Sequence, residues 1–324
     1  MNAPSSLRLR VARKTVEAEG ICGFELVDPA GAALPAFSAG SHLDVQLPNG
    51  LTRQYSLCND PGDSHRYQIA VLRDAASRGG SAAMHDQVHE GQVIEVSAPR
   101  NHFPLAHGAR RSLLLAGGIG ITPLLCMAER LHRIGADFEV HYCTRSPART
   151  AFRERIAASA FAARVAFHYD DGAPGQKLDI AALVAAAADP GTHLSVCGPC
   201  GFMDAVLGAA RAAGWPSERL HYEFFAAAPA APGTTNESFE VQLASSGKLV
   251  RVAPEQSIVQ ALAEAGVVVP TSCEQGVCGT CLTRVIEGQP DHRDSYFTPE
   301  EQAAGDQMLP CCSRALSSRL VLDL

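Results

Sequence analysis

The 324-residue chain has no apolar run near the roughly 18–20 residues a membrane helix needs, so a membrane-spanning protein is not expected. Its first residues, MNAPSSLRLRVARK, lack the apolar core of a secretory signal. Basic residues are not in excess. Lys and Arg number 27 against 34 Asp and Glu, a formal charge of −7, which argues against a nucleic-acid binder. Internal repeats are absent. A hydrophobic share of 46% excludes a disordered or collagen-like chain. A cytoplasmic globular protein is expected, with two or three domains at roughly 100–200 residues each. A reducing cytosol makes the 11 cysteines hard to read as disulfides, so metal or redox chemistry is the better reading.

The charge is unevenly placed. From Glu237 onward there are twelve acids and only six bases, so this stretch carries nearly all of the negative excess. That shift suggests a separate C-terminal module. Three zones follow from the texture of the sequence: 1–107, 108–228 and 237–324, with an Ala/Pro/Gly-rich, uncharged linker at 229–236. The first zone has short segments separated by turn signals, such as SHLDVQL before PNG and LTRQYSL before CNDPGD, and reads as an all-β barrel or sandwich. The second alternates strand patterns (RSLLLAGG, DFEVHYCT, VAFHYDD, THLSVCG) with helix patterns (TPLLCMAERLHRIG, TAFRERIAASAF, GFMDAVLGAARAAG). Such alternation predicts a parallel sheet covered on both faces, with ligands at the carboxyl ends of its strands. The third opens with strands FEVQLAS and KLVRVA, then a helix at SIVQALAEAG with a candidate N-cap at Ser257 or just before it.

The strongest signal is in that third zone. Cys273, Cys278 and Cys281 stand as C-x4-C-x2-C within CEQGVCGTC, and Cys311 follows downstream. Four thiolates can hold a [2Fe–2S] cluster, and this spacing is of the plant-type kind. Gly276 and Gly279 let the backbone curl around an inorganic core and aim amide N–H groups at the sulfurs. Zinc loops favour paired C-x2-C units, and only one is present. Cys311 and Cys312 are adjacent. On a strand they would point to opposite faces, so only one could face a cluster.

LLLAGGIGITPLL places a Gly-rich turn between a buried strand and a helix. Gly118 and Gly120 would let a pyrophosphate approach the backbone at a helix N-terminus. Pro123 stands where a dinucleotide fingerprint would have its third glycine, and proline suits a first helical turn. At the end of the fourth strand, Cys197, Gly198 and Pro199 form a candidate wall for a nicotinamide ring. No ribose-binding acid ends the second strand; CTRS supplies Arg145, which could read a 2′-phosphate or touch the pyrophosphate. The residues therefore leave NADH and NADPH both open.

A cluster moves one electron and a nicotinamide donates a hydride, so a converter is required, and flavin is the usual one. RQYS, residues 53–56, offers Arg53 for a phosphate, Tyr55 as a flat face and Ser56 for a ring-edge hydrogen bond. SRGGS, residues 77–81, offers exposed amides at a helix start.

With these residues in hand, the whole chain resembles the class IA reductases of Rieske oxygenase systems, the phthalate dioxygenase reductase and vanillate O-demethylase reductase family. RQYSLCNDP, RGGS, GGIGITP, CGP, YEFF and CEQGVCGTC carry the likeness. The resemblance implies a multidomain α+β protein. Its parts would be a Greek-key β-barrel for FMN, a doubly wound α/β domain for NADH and a β-grasp plant-type ferredoxin domain. It implies FMN contacts at Arg53, Tyr55, Ser56, Ala70, Val71, Leu72, Gly79, Gly80 and Ser81, with Thr122 and Phe225 near the isoalloxazine. It implies NADH contacts at Gly118, Gly120, Arg145, Cys197, Gly198 and Pro199. Its C-x-S-R pattern selects Cys311 as the fourth cluster ligand. No side-chain acid or base is assigned to hydride transfer. The chain has no Rieske motif or non-heme iron constellation of its own, so a separate Rieske oxygenase partner is expected. The competing function is a stand-alone NAD(P)H diaphorase or ferric reductase, and a non-enzymatic iron–sulfur sensor is a third reading.

Overall fold

The computed structural model describes residues 6–75, 77, 79–173, 175–225 and 236–324. All of the expected linker except Asn236 lies outside them. The chain falls into two compact units, Met1–Glu223 and Phe224–Leu324. No helix among the described residues is long and apolar enough to cross a membrane.

The first unit opens with strands β1 (Ser6–Ala18), β2 (Ile21–Val27), β3 (Ser41–Gln46), β4 (Thr52–Ser56) and β5 (Tyr67–Leu72). Helix α1 (Gly80–Gln87) and strands β6 (Val93–Ser97) and β7 (Arg100–Asn101) follow. They form an antiparallel sheet in the order β4-β3-β6-β1-β2-β5, with β7 on β3. An antiparallel bridge from Leu57 to Ile69 joins the end of β4 to β5, so the two ends of the strand order meet. Closure of this kind removes exposed edges. Alternate residues such as Leu9, Val11, Leu43, Val45, Ile69 and Val96 fill the interior.

The same unit continues with β8 (Arg111–Gly117), α2 (Ile121–Arg133), β9 (Asp137–Thr144), α3 (Arg153–Ala157) and β10 (Val165–Tyr169). Then come α4 (Ile180–Ala186), β11 (Thr192–Cys197), α5 (Cys200–Ala212) and β12 (Leu220–Glu223). The strands make a parallel sheet ordered β10-β9-β8-β11-β12. Central β8 is buried from Ser112 to Gly117, as a strand covered on both faces must be. The helix expected over TAFRERIAASAF is reduced to α3, because Phe152 takes a left-handed φ of 60° just before it.

One apolar cluster joins the two sheets. Ile21, Cys58, Ala70 and Phe103 from the antiparallel part pack with Leu114, Ile121, Leu124 and Cys126 from the parallel part. Arg155 adds a polar tie, donating to the Cys58 carbonyl at 3.0 Å, to Gln68 at 3.1 Å and to Glu129 at 3.0 Å. The first two sequence zones therefore share one core, and that sharing makes them a single compact unit.

The second unit holds β13 (Phe239–Leu243), β14 (Leu249–Val252), α6 (Ile258–Glu264), β15 (Thr283–Glu287) and β16 (Pro290–Asp291). It ends with α7 (Pro299–Ala304), β17 (Gln307–Met308), β18 (Arg314–Ala315) and β19 (Arg319–Leu322). Its main sheet is ordered β14-β13-β19-β15-β17, with β13 and β19 parallel. Ser257 caps α6 as expected, in a reciprocal capping box with Gln260. Ile258 and Leu262 of α6 pack on Val241, Val252 and Leu320.

Candidate functional site

In a parallel sheet every strand ends on the same edge. Pairing of Cys197 with both Ala116 and Glu223, of Gly117 with Cys143, and of Thr144 with Tyr169 lines up the carboxyl ends of β8 to β12. The Gly118–Gly120 turn, exposed Arg145 and residues 197–199 therefore share one rim. The first and last meet backbone to backbone. A Cβ on Gly198 would lie 2.9 Å from Gly117 Cα, and one on Gly120 would overlap the Cys197 carbonyl. Gly118 has φ 52°, with nothing near its missing Cβ, so its backbone is open. This geometry fits close approach of a pyrophosphate. Pro123 sits in the first turn of α2, where its missing N–H has no intrahelical partner to lose.

Arg53 is brought to the start of α1. A Cβ on Gly80 would stand 2.8 Å from Arg53 Cγ and Nε. Gly79 precedes α1 with φ 90°, held by Asn49 Nδ2 donating to its carbonyl at 3.1 Å. Ser81 Oγ accepts from the Asp74 amide at 3.1 Å. A guanidinium, two glycines and a serine thus converge at a helix N-terminus, a chemistry suited to a phosphate. Burial pushes the Tyr55 phenol upward. Ala70 and Val71 are buried on β5, whereas Leu72 is 40% exposed. The buried Thr122 hydroxyl donates to the Ile119 carbonyl at 3.1 Å, which ties it to the turn. Phe225 follows β12 by two residues, at the start of the second unit, and is exposed.

Sequence reasoning missed Glu223. Ser56 Oγ donates to Glu223 Oε2 at 3.4 Å, and Glu223 pairs across strands with Cys197. Burial pushes its carboxyl up to about 7, against a lowering effect of the Ser56 hydrogen bond. The acid is visible in YEFF, but nothing local marks it. Its partners lie far along the chain. His42, opposite Ser56 on β3, was also missed. It is buried, its two ring nitrogens lack a hydrogen-bond partner among the described residues, and it stacks on His102 at 5.3 Å. Burial lowers it to about 4.

In the second unit the thiols of Cys273 and Cys278 neighbour each other, and Cys311 neighbours both Cys281 and Cys312. Among the described residues no three His, Cys, Asp or Glu side chains gather as one mononuclear centre requires. Four thiols from one loop and one turn are the donor set that a two-iron cluster takes, two sulfurs for each iron, so the residues fit [2Fe–2S]. Gly276 and Gly279 carry φ 73° and 71° in the loop, and the Gln275 amide lies 3.2 Å from Cys273 Sγ. Cys311 and Cys312 lie in a turn, not on a strand, so the alternation argument does not separate them. Packing does not separate them either: Cys311 neighbours Cys281, while Cys312 neighbours Cys311 and its Sγ lies 3.6 Å from the Leu309 carbonyl and against Gly276. The choice of Cys311 rests on the C-x-S-R pattern. Of the remaining cysteines, Cys58 and Cys126 are fully buried, and burial pushes the Cys58 thiol up to about 12, as inert core thiols require.

Residues 241–316 match the family described as "2Fe-2S iron-sulfur cluster binding domain". Over 97% of this chain and 98% of the relative, the sequence is 54% identical to a vanillate O-demethylase oxidoreductase of Pseudomonas putida. It is 43% identical to a phthalate dioxygenase reductase of Burkholderia cepacia, over 98% of this chain and 97% of the relative. A solved structure described as "phthalate dioxygenase reductase: a modular structure for electron transfer from pyridine nucleotides to [2Fe-2S]" superposes with TM-score 0.81 at 43% identity, covering 98% of each chain.

Proposed function

This chain belongs to the oxidoreductase family of vanillate O-demethylase oxidoreductase and phthalate dioxygenase reductase, and on that premise we propose that it oxidises NADH and feeds single electrons to a separate Rieske-type oxygenase. It is the reductase component of an oxygenase or demethylase system, carrying electrons from a pyridine nucleotide to a [2Fe–2S] cluster. The observation that carries the reading is the meeting of the two turns, Gly118–Gly120 and residues 197–199, beside Ser56 of the RQYS strand in one core. FMN bound against that strand supplies the exchange between two-electron and one-electron chemistry. Arg53, Gly79, Gly80 and Ser81 hold its phosphate. Tyr55, Ala70, Val71, Leu72 and Thr122 bound its ring. Gly118, Gly120 and Arg145 take the dinucleotide, and residues 197–199 set the nicotinamide ring. Positioning by these groups makes the transfer intramolecular. Ser56 and Glu223 place a protonatable group at the same rim.

Cys273, Cys278, Cys281 and Cys311 hold the cluster. The strand orders support reading the three parts as a Greek-key barrel (1–107), a doubly wound α/β domain (108–228) and a β-grasp ferredoxin (237–324), joined at 229–236. The acidic third part suits docking to a basic face of the oxygenase.

The test is purification with assay of flavin, iron and sulfide, then NADH-driven reduction of the purified oxygenase beside free ferric chelates. FMN with two irons per chain and preference for the oxygenase is the expected result. Equal rates with chelates would favour a diaphorase, and faster reduction by NADPH would overturn the choice of donor.

A further inference from the structure

The cluster thiols reach one place from two segments, the 273–281 loop and the turn at Cys311, and Asp294 ties the segments together. Its side chain is buried. Oδ2 accepts from the Tyr296 amide at 3.2 Å and the Phe297 amide at 3.0 Å. Oδ1 accepts from Ser313 Oγ at 3.3 Å and faces His292 Nδ1 at 3.2 Å. The Tyr296 and Phe297 amides are fixed donors; the roles at the His292 contact depend on the imidazole tautomer, and with the carboxylate as acceptor it is Nδ1 that carries the proton. On the other side, the Ser295 amide donates to the Gly276 carbonyl at 3.0 Å. Gly276 leaves no room between the two segments. A Cβ there would lie 2.5 Å from Cys312 Sγ and 3.0 Å from Asp294 Cα. Gln302 of α7 donates to the Asp294 carbonyl at 3.4 Å.

No Lys or Arg pairs with this carboxylate among the described residues. Arg293 turns to Asp291 at 2.6 Å, and Arg314 spends its donors on the carbonyls of Glu237, Ala253 and Gln256. A buried anion without a cationic partner keeps its field, because little water screens it. Such a charge beside the cysteine loop opposes the addition of an electron there.

We propose that Asp294 is a positioning residue for the iron–sulfur cluster and that its buried negative charge holds the cluster's reduction potential down. This rests on the reading that Cys273, Cys278, Cys281 and Cys311 are the ligands. His292 acts with it as a donor that partly offsets the charge. The one-electron couple is unchanged in kind; only the free energy of adding the electron shifts.

The test is a redox titration of the purified full-length protein, followed by the electron paramagnetic resonance signal of the reduced cluster. Asp294→Asn is expected to keep its iron and sulfide and to shift the potential upward. His292→Phe removes a donor and is expected to shift it downward. Opposite signs are the signature, because simple loosening of the loop has no reason to produce them. Unchanged potentials in both variants, or shifts of the same sign, would overturn the proposal. If Asp294→Asn loses its iron, the His292→Phe potential decides alone: a downward shift supports the proposal and any other result overturns it. The ligand reading is separately exposed. If Cys273→Ser retains a full iron and sulfide complement, that reading fails whatever Asp294 does.

Discussion

Gly120 and Cys197 touch through their backbones so closely that a side chain on the glycine has no space: its Cβ would overlap the cysteine carbonyl. This contact locks the turn after β8 to the turn after β11. Gly120→Ala must push apart two backbone segments, which neither rotamer change nor a flexible tip can relieve. Overpacking of this kind costs roughly 1–3 kcal/mol. A lower melting temperature and a KM for NADH raised about tenfold are expected. Gly118→Ala is the control. Its missing Cβ faces open space, so only its φ of 52° is penalised, at about 1 kcal/mol. Equal KM effects in the two variants would contradict this account.

Glu223 makes stability depend on pH. Its folded carboxyl is raised from an ordinary 4.5 to about 7, so between those values the folded state holds a proton that the unfolded chain has released. Stability from this group is full at low pH and declines as pH rises from 4.5 toward 7. Glu223→Gln removes the titration but keeps an acceptor for Ser56. Its melting temperature should match the wild type near pH 4 and exceed it by a widening margin up to pH 8. Melting curves at several pH values decide this, and a constant margin would refute it.

Lys14 caps the helix whose other end forms the phosphate cradle. Its Nζ donates to the carbonyls of His85 at 2.6 Å and Val88 at 2.8 Å, at the C-terminus of α1. A cation there satisfies orphan carbonyls and complements the helix dipole. Lys14→Met should cost about 1 kcal/mol and weaken FMN retention several-fold, although Lys14 is remote from Gly79 and Gly80. Quenching of FMN fluorescence on titration into the apoprotein measures it.

Cys311 and Cys312 give opposite outcomes on replacement by serine. Cys311 neighbours Cys281 and fits the C-x-S-R pattern, so Cys311→Ser is expected to lose most of its iron. Cys312 points toward the Leu309 carbonyl, so Cys312→Ser should keep the cluster and lose roughly 1 kcal/mol of stability. Iron and sulfide analysis with the visible spectrum separates them, and reversed outcomes would reassign the fourth ligand.

Much of the site was legible locally. The cysteine loop, the glycine turn after RSLLLAGG and the strand RQYS are short segments whose chemistry depends on spacing alone. The capped start of α6 was legible to within a residue, and the structure fixes it at Ser257 through the reciprocal bonds with Gln260. The helix over TAFRERIAASAF was over-read, because its apolar pattern does not show the left-handed turn at Phe152. The strand argument for Cys311 failed for a similar reason. Alternation presumes an extended backbone, and that segment is a turn.

What the sequence determined by itself is the inventory of redox parts and their order, since glycine turns and thiol spacing are properties of neighbouring residues. Tertiary structure decided which distant groups act together. Ser56 meets Glu223, Gly120 meets Cys197, and Asp294 joins Gly276 to Ser313. Those meetings follow from strand order and register, which bring residues from remote segments to one edge and leave no trace in local composition.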